Sequence, residues 1–217
     1  IKRKDSIFEN GMESSSFELG RKMNLIFIDV ETFGLNPYDH PIIDIAMIST
    51  TREGEIINEY SSKIKPSKLE IECADQKAIE VNGFKPELWS EAKSKKEVNK
   101  EIQQIFAQKE KYIPIGWNIG FDLEFLKIQL YLYDLELYHH PLDLMSMVWM
   151  HKYCLIHGNT TVKNPVCDSL NCSYEWLMNS EKLSLKNYCK MLGVEIKNEH
   201  TALGDVKMMI ECYRRLI

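Results

Sequence analysis

The sequence predicts an α/β domain in which a mixed sheet is flanked by helices. Three observations lead there. Three apolar strand patterns follow one another through residues 25–64, helical periodicity dominates from residue 75 onward, and a further strand falls between two of those helices. Strands joined by turns pair antiparallel, whereas a strand reached through a crossover helix pairs parallel. One sheet therefore carries both pairings, with helices covering it. At 217 residues the chain can bury a sizeable core as a single unit.

The elements read in order as follows. Residues 25–30 form the first strand and 42–49 the second; Arg52, Glu53 and Gly54 supply a turn, and 55–64 return as the third. Lys65-Pro66 ends this meander. Helical patterns follow at 75–81 and 95–108, then a strand at 112–117, a Gly-bearing turn and a helix at 121–133. Further helices are predicted near 144–152, at 184–192 and at 201–216, the last from the helical spacing of Val206, Met209, Ile210, Tyr213 and Leu216. Residues 150–181 read as an insertion within a domain spanning 23–217. Gly158-Asn159 and Asn164-Pro165 mark turns there, and Tyr174, Trp176 and Leu177 are expected to pack it on the body, over a substrate groove or against a partner. Its Cys154, His157, Cys167 and Cys172 are of the types that bind zinc, but their spacing is irregular. Residues 1–22 are polar and lack periodicity; they read as a leader or added segment outside the fold.

Chemistry concentrates in three places. The first strand ends on Asp29-Val30-Glu31. Side chains at i and i+2 of a strand share a face, so these two carboxylates repel one another unless positive charge compensates them. A divalent cation is the expected source, and the bland alternative is a strand end fraying into solvent. Asp122 lies in the first turn of the helix after Asn118-Ile119-Gly120-Phe121, where an acid also suits the helix dipole. His200 and Asp205 stand at the entrance and first turn of the last helix, so both can point at one site.

In this order and spacing, Asp-x-Glu, Asn-x-x-Phe-Asp and His-x(4)-Asp resemble the DEDDh branch of the 3′→5′ exonuclease superfamily, which includes proofreading exonucleases, ribonuclease T and oligoribonuclease. The similarity runs from about Met23 to the C-terminus, with supporting matches at Thr32, Gly34-Leu35, Val81-Asn82-Gly83, Leu142-Asp143 and 183–189. It implies the ribonuclease H-like fold, a mixed five-stranded sheet of antiparallel meander then parallel strands. Trp117 departs from a His common before the second motif and reads as a packing difference. Phe33 replaces a smaller residue.

The resemblance implies metal-dependent removal of nucleoside 5′-monophosphates from the 3′ end of single-stranded DNA or RNA. Phosphodiester hydrolysis needs an activated water, a neutralised pentacovalent charge and a stabilised leaving oxygen, which two metal ions supply together. Carboxylates suit Mg²⁺ or Mn²⁺: Asp29, Glu31 and Asp205 are assigned to two such ions per site, and Asp122 to the second. His200 is assigned as general base, a role that suits imidazole. Thr32, Phe33, Gly34 and Leu35 would hold the terminal nucleotide, Leu35 as an apolar wedge, and Phe33 either stacking on a base or packing the core. Asn118 and Asn82 are further substrate-pocket candidates. A polymerase or a second copy of the chain is an open partner expectation.

Two rival classes are weighed. A non-catalytic nucleic-acid-binding or polymerase accessory module of the same fold would usually lack a ligand or the base, and none is missing here. An endonuclease or nucleotidyl transferase would not require His200 five residues before Asp205. The net charge of −5 argues against a general polyanion binder, but not against a nuclease whose metals carry the local positive charge. Lys93, Lys95, Lys96 and Lys100 read as a solvated helix face. No run approaches the roughly 20 apolar residues of a membrane span, no signal-peptide pattern opens the chain, and six scattered Cys fit reduced thiols. The expectation is a cytoplasmic protein with no membrane association.

Overall fold

The computed structural model describes residues 23–107, 110–132, 134–149 and 183–216. The leader at 1–22, the insertion at 150–181 and its Cys and His residues lie outside them. Strands β1 (Asn24–Thr32), β2 (Ile42–Thr50) and β3 (Ile56–Lys63) form the expected antiparallel meander. Strand β4 (Lys111–Gly116) takes the other edge of β1 in parallel, and β5 (Glu136–Leu137) and β6 (Leu142–Asp143) both pair parallel with β4.

Among the described residues the sheet therefore has six strands, ordered β3-β2-β1-β4-β5 with β6 also beside β4, where five were expected. Because β1 occupies one edge of β4, β5 and β6 share the opposite edge, at Tyr112↔Leu137 and Ile115↔Leu142. They are two halves of one strand position, interrupted at 138–141, where Pro141 has no N–H for a ladder.

Among the described residues, helices α1 (Lys68–Glu72), α2 (Gln76–Asn82), α3 (Lys95–Phe106), α4 (Ile119–Gln129), α5 (Leu185–Leu192) and α6 (Ala202–Arg214) flank the sheet. Residues 144–149 are also helical. Three helices start one residue later than expected because Asp75, Ser184 and Thr201 are N-caps, their side chains accepting backbone N–H bonds from Lys77, Asn187 and Gly204. A capping residue satisfies a helical donor while remaining extended itself. Helix α1 was not expected; a capping box between Ser67 and Glu70 starts it, and none of its residues is buried.

Strand β1 divides the core by its period of two. Ile26, Ile28 and Val30 pack with Val98, Ile102 and Phe106 of α3 and with Ile119, Phe125 and Leu126 of α4. Leu25 and Phe27 pack on the other face with Tyr188, Cys189 and Leu192 of α5 and with Val206, Met209 and Ile210 of α6. Trp117 packs against this second cluster, its ring 5.9 Å from that of Tyr188, which is the packing role expected of it. A smaller cluster of Phe33, Ile43, Phe84 and Trp89 closes one end.

Candidate active site

The face of β1 that carries Leu25 and Phe27 continues, by alternation, to Asp29 and Glu31, and α6 lies over it. Apolar residues end there and acids begin. Asp205, in the first turn of α6, completes a group in which one oxygen each from Asp29, Glu31 and Asp205 lie within 4.8 Å of one another. Asp122 approaches from the end of the sheet. Pairing of β1 with β4 stops at Phe27↔Ile115, and the Oδ1 of Asp122, only 3% exposed, accepts the Val30 N–H at 2.9 Å.

The electrostatics follow from crowding like charges in a desolvated site. Burial first, then the charges of Asp122, Asp205, Glu31 and Asp44, hold the Asp29 carboxyl well above the ordinary range. Burial, then Asp205 and Asp44, push Glu31 up to about 8. Burial raises Asp122 to about 8, despite the hydrogen bonds from the backbone N–H groups of Val30 and of Asp122 itself. Asp205 rises to about 6 through burial, opposed by the charge and backbone N–H of His200. Among the described residues no Lys or Arg forms an ion pair with any of these four acids. A site of hard oxygen donors short of positive charge fits a divalent cation of the Mg²⁺ or Mn²⁺ type.

His200 sits beside this group rather than in it. It occupies the left-handed region at φ 62°, directly before the Thr201 cap, and its side chain is 52% exposed with Nε2 3.5 Å from Glu199 Oε1. The turn is held from both sides. Thr201 Oγ1 donates to the Asn198 carbonyl at 2.7 Å and accepts the Gly204 N–H at 3.1 Å. Any side chain at Gly204 would collide with the Asn198 carbonyl, so the loop bearing His200 can lie against α6 only because residue 204 has none.

The substrate-pocket candidates divide. Leu35 is 80% exposed, as a wedge requires. Thr32 is buried, and its hydroxyl donates to the Gly34 carbonyl at 2.7 Å; His40 packs directly over Gly34. Phe33 is fully buried and meets Phe84 edge-on at 4.7 Å, so its ring packs the core and offers no face for stacking. Asn82 donates to the Thr32 carbonyl at 3.0 Å and accepts the Phe84 N–H at 3.0 Å; its amide braces the loop from inside instead of lining an open pocket. Asn118 is exposed at the start of α4 with φ 60°, a conformation Asn tolerates better than most residues.

Two acids that sequence reasoning gave no chemical role now adjoin the site. Asp143 Oδ1 accepts the Asn118 N–H at 2.9 Å and the Met145 N–H at 3.1 Å, fixing the turn that aims Asp122. Asp44 of β2 lies opposite Glu31 in the ladder. A carboxylate in mid-strand, paired across from a second one, was the signal available for it.

A sheet of this order with four acids and a histidine gathered at the end of its central strand defines a phosphodiester-hydrolysing class of site. The family model described as Exonuclease, of ribonuclease T type, matches residues 26–213. The chain belongs to that family, as a DEDDh-type 3′→5′ exonuclease of the ribonuclease H-like superfamily, a metal-dependent group. It is 24% identical over 213 residues to the PolC-type DNA polymerase III of Thermotoga petrophila, covering 98% of this chain and 13% of that polymerase. Among solved structures, E. coli exonuclease I in complex with a dT13 oligonucleotide superposes with a TM-score of 0.64 at 20% identity, over 88% of this chain and 40% of that one. The zinc-bound form of the E. coli exonuclease I–single-stranded DNA complex gives 0.66 at 20% identity, over 89% and 40%. The chain thus spans a small fraction of the polymerase and under half of the exonuclease. Among the described residues no helix is long and apolar enough to cross a membrane.

Proposed function

We propose that this domain removes nucleoside 5′-monophosphates one at a time from the 3′ end of single-stranded nucleic acid, with DNA preferred and RNA accepted. The observation that carries the reading is the convergence of Asp29, Glu31 and Asp205 oxygens within 4.8 Å, with His200 in the turn just before the helix that bears Asp205. The dT13 strand held by the E. coli relative supports DNA as the substrate.

Asp29, Glu31 and Asp205 would hold divalent cations, Mg²⁺ or Mn²⁺, with Asp122 completing the shell of a second ion. When bound, such ions lower the pKa of water and neutralise charge on the phosphate. The remaining work falls to the chain. His200 accepts a proton from the attacking water as its oxygen bonds to phosphorus; the bond to the 3′-oxygen breaks, and that oxygen is protonated from solvent. An exposed imidazole can return its proton to solvent after each turnover. Asp122 keeps the end of β1 in place through Val30, and Leu35 meets the terminal nucleotide from the solvent side.

Digestion of single-stranded DNA and RNA of equal sequence, labelled at the 5′ or at the 3′ end, tests this directly. With Mg²⁺ or Mn²⁺, 5′-labelled strands should shorten as a ladder and 3′ label should appear at once as mononucleotide, with both lost in Asp29→Ala. Tight binding with all label intact would replace the reading with that of a non-catalytic accessory module, and nicks in circular single strands would make the protein an endonuclease.

A further inference from the structure

The loop joining β1 to β2, residues 33–41, exposes Leu35 by 80% and Tyr38 by 76%. Its base is closed by the Phe33 N–H donating to the Pro41 carbonyl at 3.1 Å. Its tip is shaped from within: the Asn36 carbonyl accepts the N–H groups of Asp39 and His40 at 3.1 and 2.8 Å, and Asn36 Oδ1 accepts the Tyr38 N–H at 3.1 Å. These bonds give the tip its form without fastening it to the body.

Gln129, the last residue of α4, reaches the tip from outside. Its Nε2 donates to the Pro37 carbonyl and lies 3.5 Å from the His40 carbonyl, while its Oε1 accepts from Lys95 Nζ at 2.9 Å. Lys95 is the first residue of α3 and pairs with Glu70 of α1, also at 2.9 Å. It was expected on a solvated helix face, yet it is half-buried between these two partners.

We propose that Gln129 is a positioning residue for substrate: it fastens the tip of the β1–β2 loop to α4, so that Leu35 and Tyr38 are held in place before a strand arrives. The position calls for a carboxamide. Backbone carbonyls need a donor and an ammonium needs an acceptor, and a carboxamide carries both at one tip. Pro37 is buried, and a buried carbonyl requires a partner. A Glu at this place would satisfy Lys95 while turning carboxylate oxygens toward two carbonyls. The helix itself supplies the spacing. Asp122 in the first turn of α4 holds the end of β1 through the Val30 N–H, and Gln129 holds the loop about 10 Å further along the axis, at 1.5 Å per residue. Ordering the loop in advance removes that cost from each binding event.

This inference rests on the proposed hydrolysis, and the test separates the two. Gln129→Glu keeps the contact with Lys95 and removes the donor, whereas Gln129→Met keeps the length and removes both. Two readouts are taken on the whole chain: KM and kcat on a 5′-labelled oligonucleotide at saturating Mn²⁺, and amide hydrogen exchange over residues 36–40, which needs no activity. Both variants should raise KM about 3- to 10-fold, the scale of one or two lost hydrogen bonds. They should leave kcat within about twofold of the parent, as a loss of binding alone does, and speed exchange over 36–40 while α4 exchanges as before. Combined with Leu35→Ala, Gln129→Glu should raise KM by less than the product of the two single effects, because both act through one contact. If neither Gln129 variant folds, Lys95→Met, which leaves the Gln129 amide free to turn, should still raise KM about two- to threefold. A fall in kcat at unchanged KM would mean that Gln129 acts through Asp122, and unaltered exchange over 36–40 would mean that the loop holds itself; either overturns the proposal. Faster exchange throughout α4 would overturn it as well, by making Gln129 a support of the helix. A parent protein that cleaves nothing would sink the hydrolysis reading and the substrate role with it, while exchange would still decide whether Gln129 fastens the loop.

Discussion

Residues 28 and 29 are neighbours in sequence and opposites in environment. The face of β1 bearing Ile26, Ile28 and Val30 stays apolar to its end and is closed by α3 and α4. The other face begins identically with Leu25 and Phe27, then changes at Asp29 to carboxylates that face α6. The first face contributes stability by removing hydrocarbon from water. The second gives stability up, because burial and mutual repulsion lift its acids far from their ordinary range. The contrast places the functional surface at the point where one strand stops serving the core.

The largest effect should come from the acid face. Asp29→Ala should reduce hydrolysis by at least about 10³-fold, as removing one member of a catalytic unit does, measured by single-turnover release of labelled nucleotide. It should also leave the metal-free protein as stable as the parent or more so, since it deletes a repelled charge. His200→Ala should lose about 10²- to 10⁴-fold in rate, the usual contribution of a positioned base, while Mn²⁺ binding measured by electron paramagnetic resonance is retained. Loss of binding in that variant would move His200 from proton acceptor to ligand.

The apolar face should answer in the opposite currency. Ile28→Ala should destabilise by about 2–5 kcal/mol in chemical denaturation, with the rate per folded molecule within a few-fold of the parent. A collapse of activity at unchanged stability would show that the two faces are not separable.

How much of this was legible in the sequence depends on the kind of signal. Strand β1 was visible because an apolar run ends on two acids, and α6 because Val206, Met209 and Ile210 recur on one face. Asp29, Glu31, Asp122, His200 and Asp205 could be named because their spacings within three short segments form a set, which the fold then brings to one end of the sheet. Residues acting through the backbone were not legible. Asp143 reads as an ordinary acid before a helix, and its meaning depends on Asn118, 25 residues away, whose backbone N–H it accepts. Asn82 was placed in the substrate pocket because an amide near a motif has no preferred partner until Thr32 and Phe84 are positioned around it. Phe33 had two fates of equal merit, and the presence of Phe84 and Trp89 decides between them. Strands β5 and β6 have two residues each, too few for a period of two to register.

The smallest expected effect is a dependence of stability on pH. Glu31 and Asp122 are raised to about 8 and Asp205 to about 6, whereas unfolded carboxyls titrate near ~4. For acids raised in the fold, the associated stability is present below the unfolded value and is lost as pH climbs through the folded ones. The metal-free protein should therefore melt at progressively lower temperature between about pH 4 and pH 8, and Mg²⁺ should restore more at pH 8 than at pH 5. Asp29→Asn should flatten that slope; Ile28→Ala should lower the whole curve without changing it.

The central claim, that the acid face of β1 exists to hold divalent cations, is tested most directly by titrating Mn²⁺ into the metal-free protein near pH 7 by calorimetry in buffers of different ionisation enthalpy. Carboxyls held protonated by burial and by mutual repulsion must release protons as the ion binds. The account predicts saturable binding with net proton release that disappears in Asp29→Ala. Binding without proton release, or binding undiminished in Asp29→Ala, would contradict it.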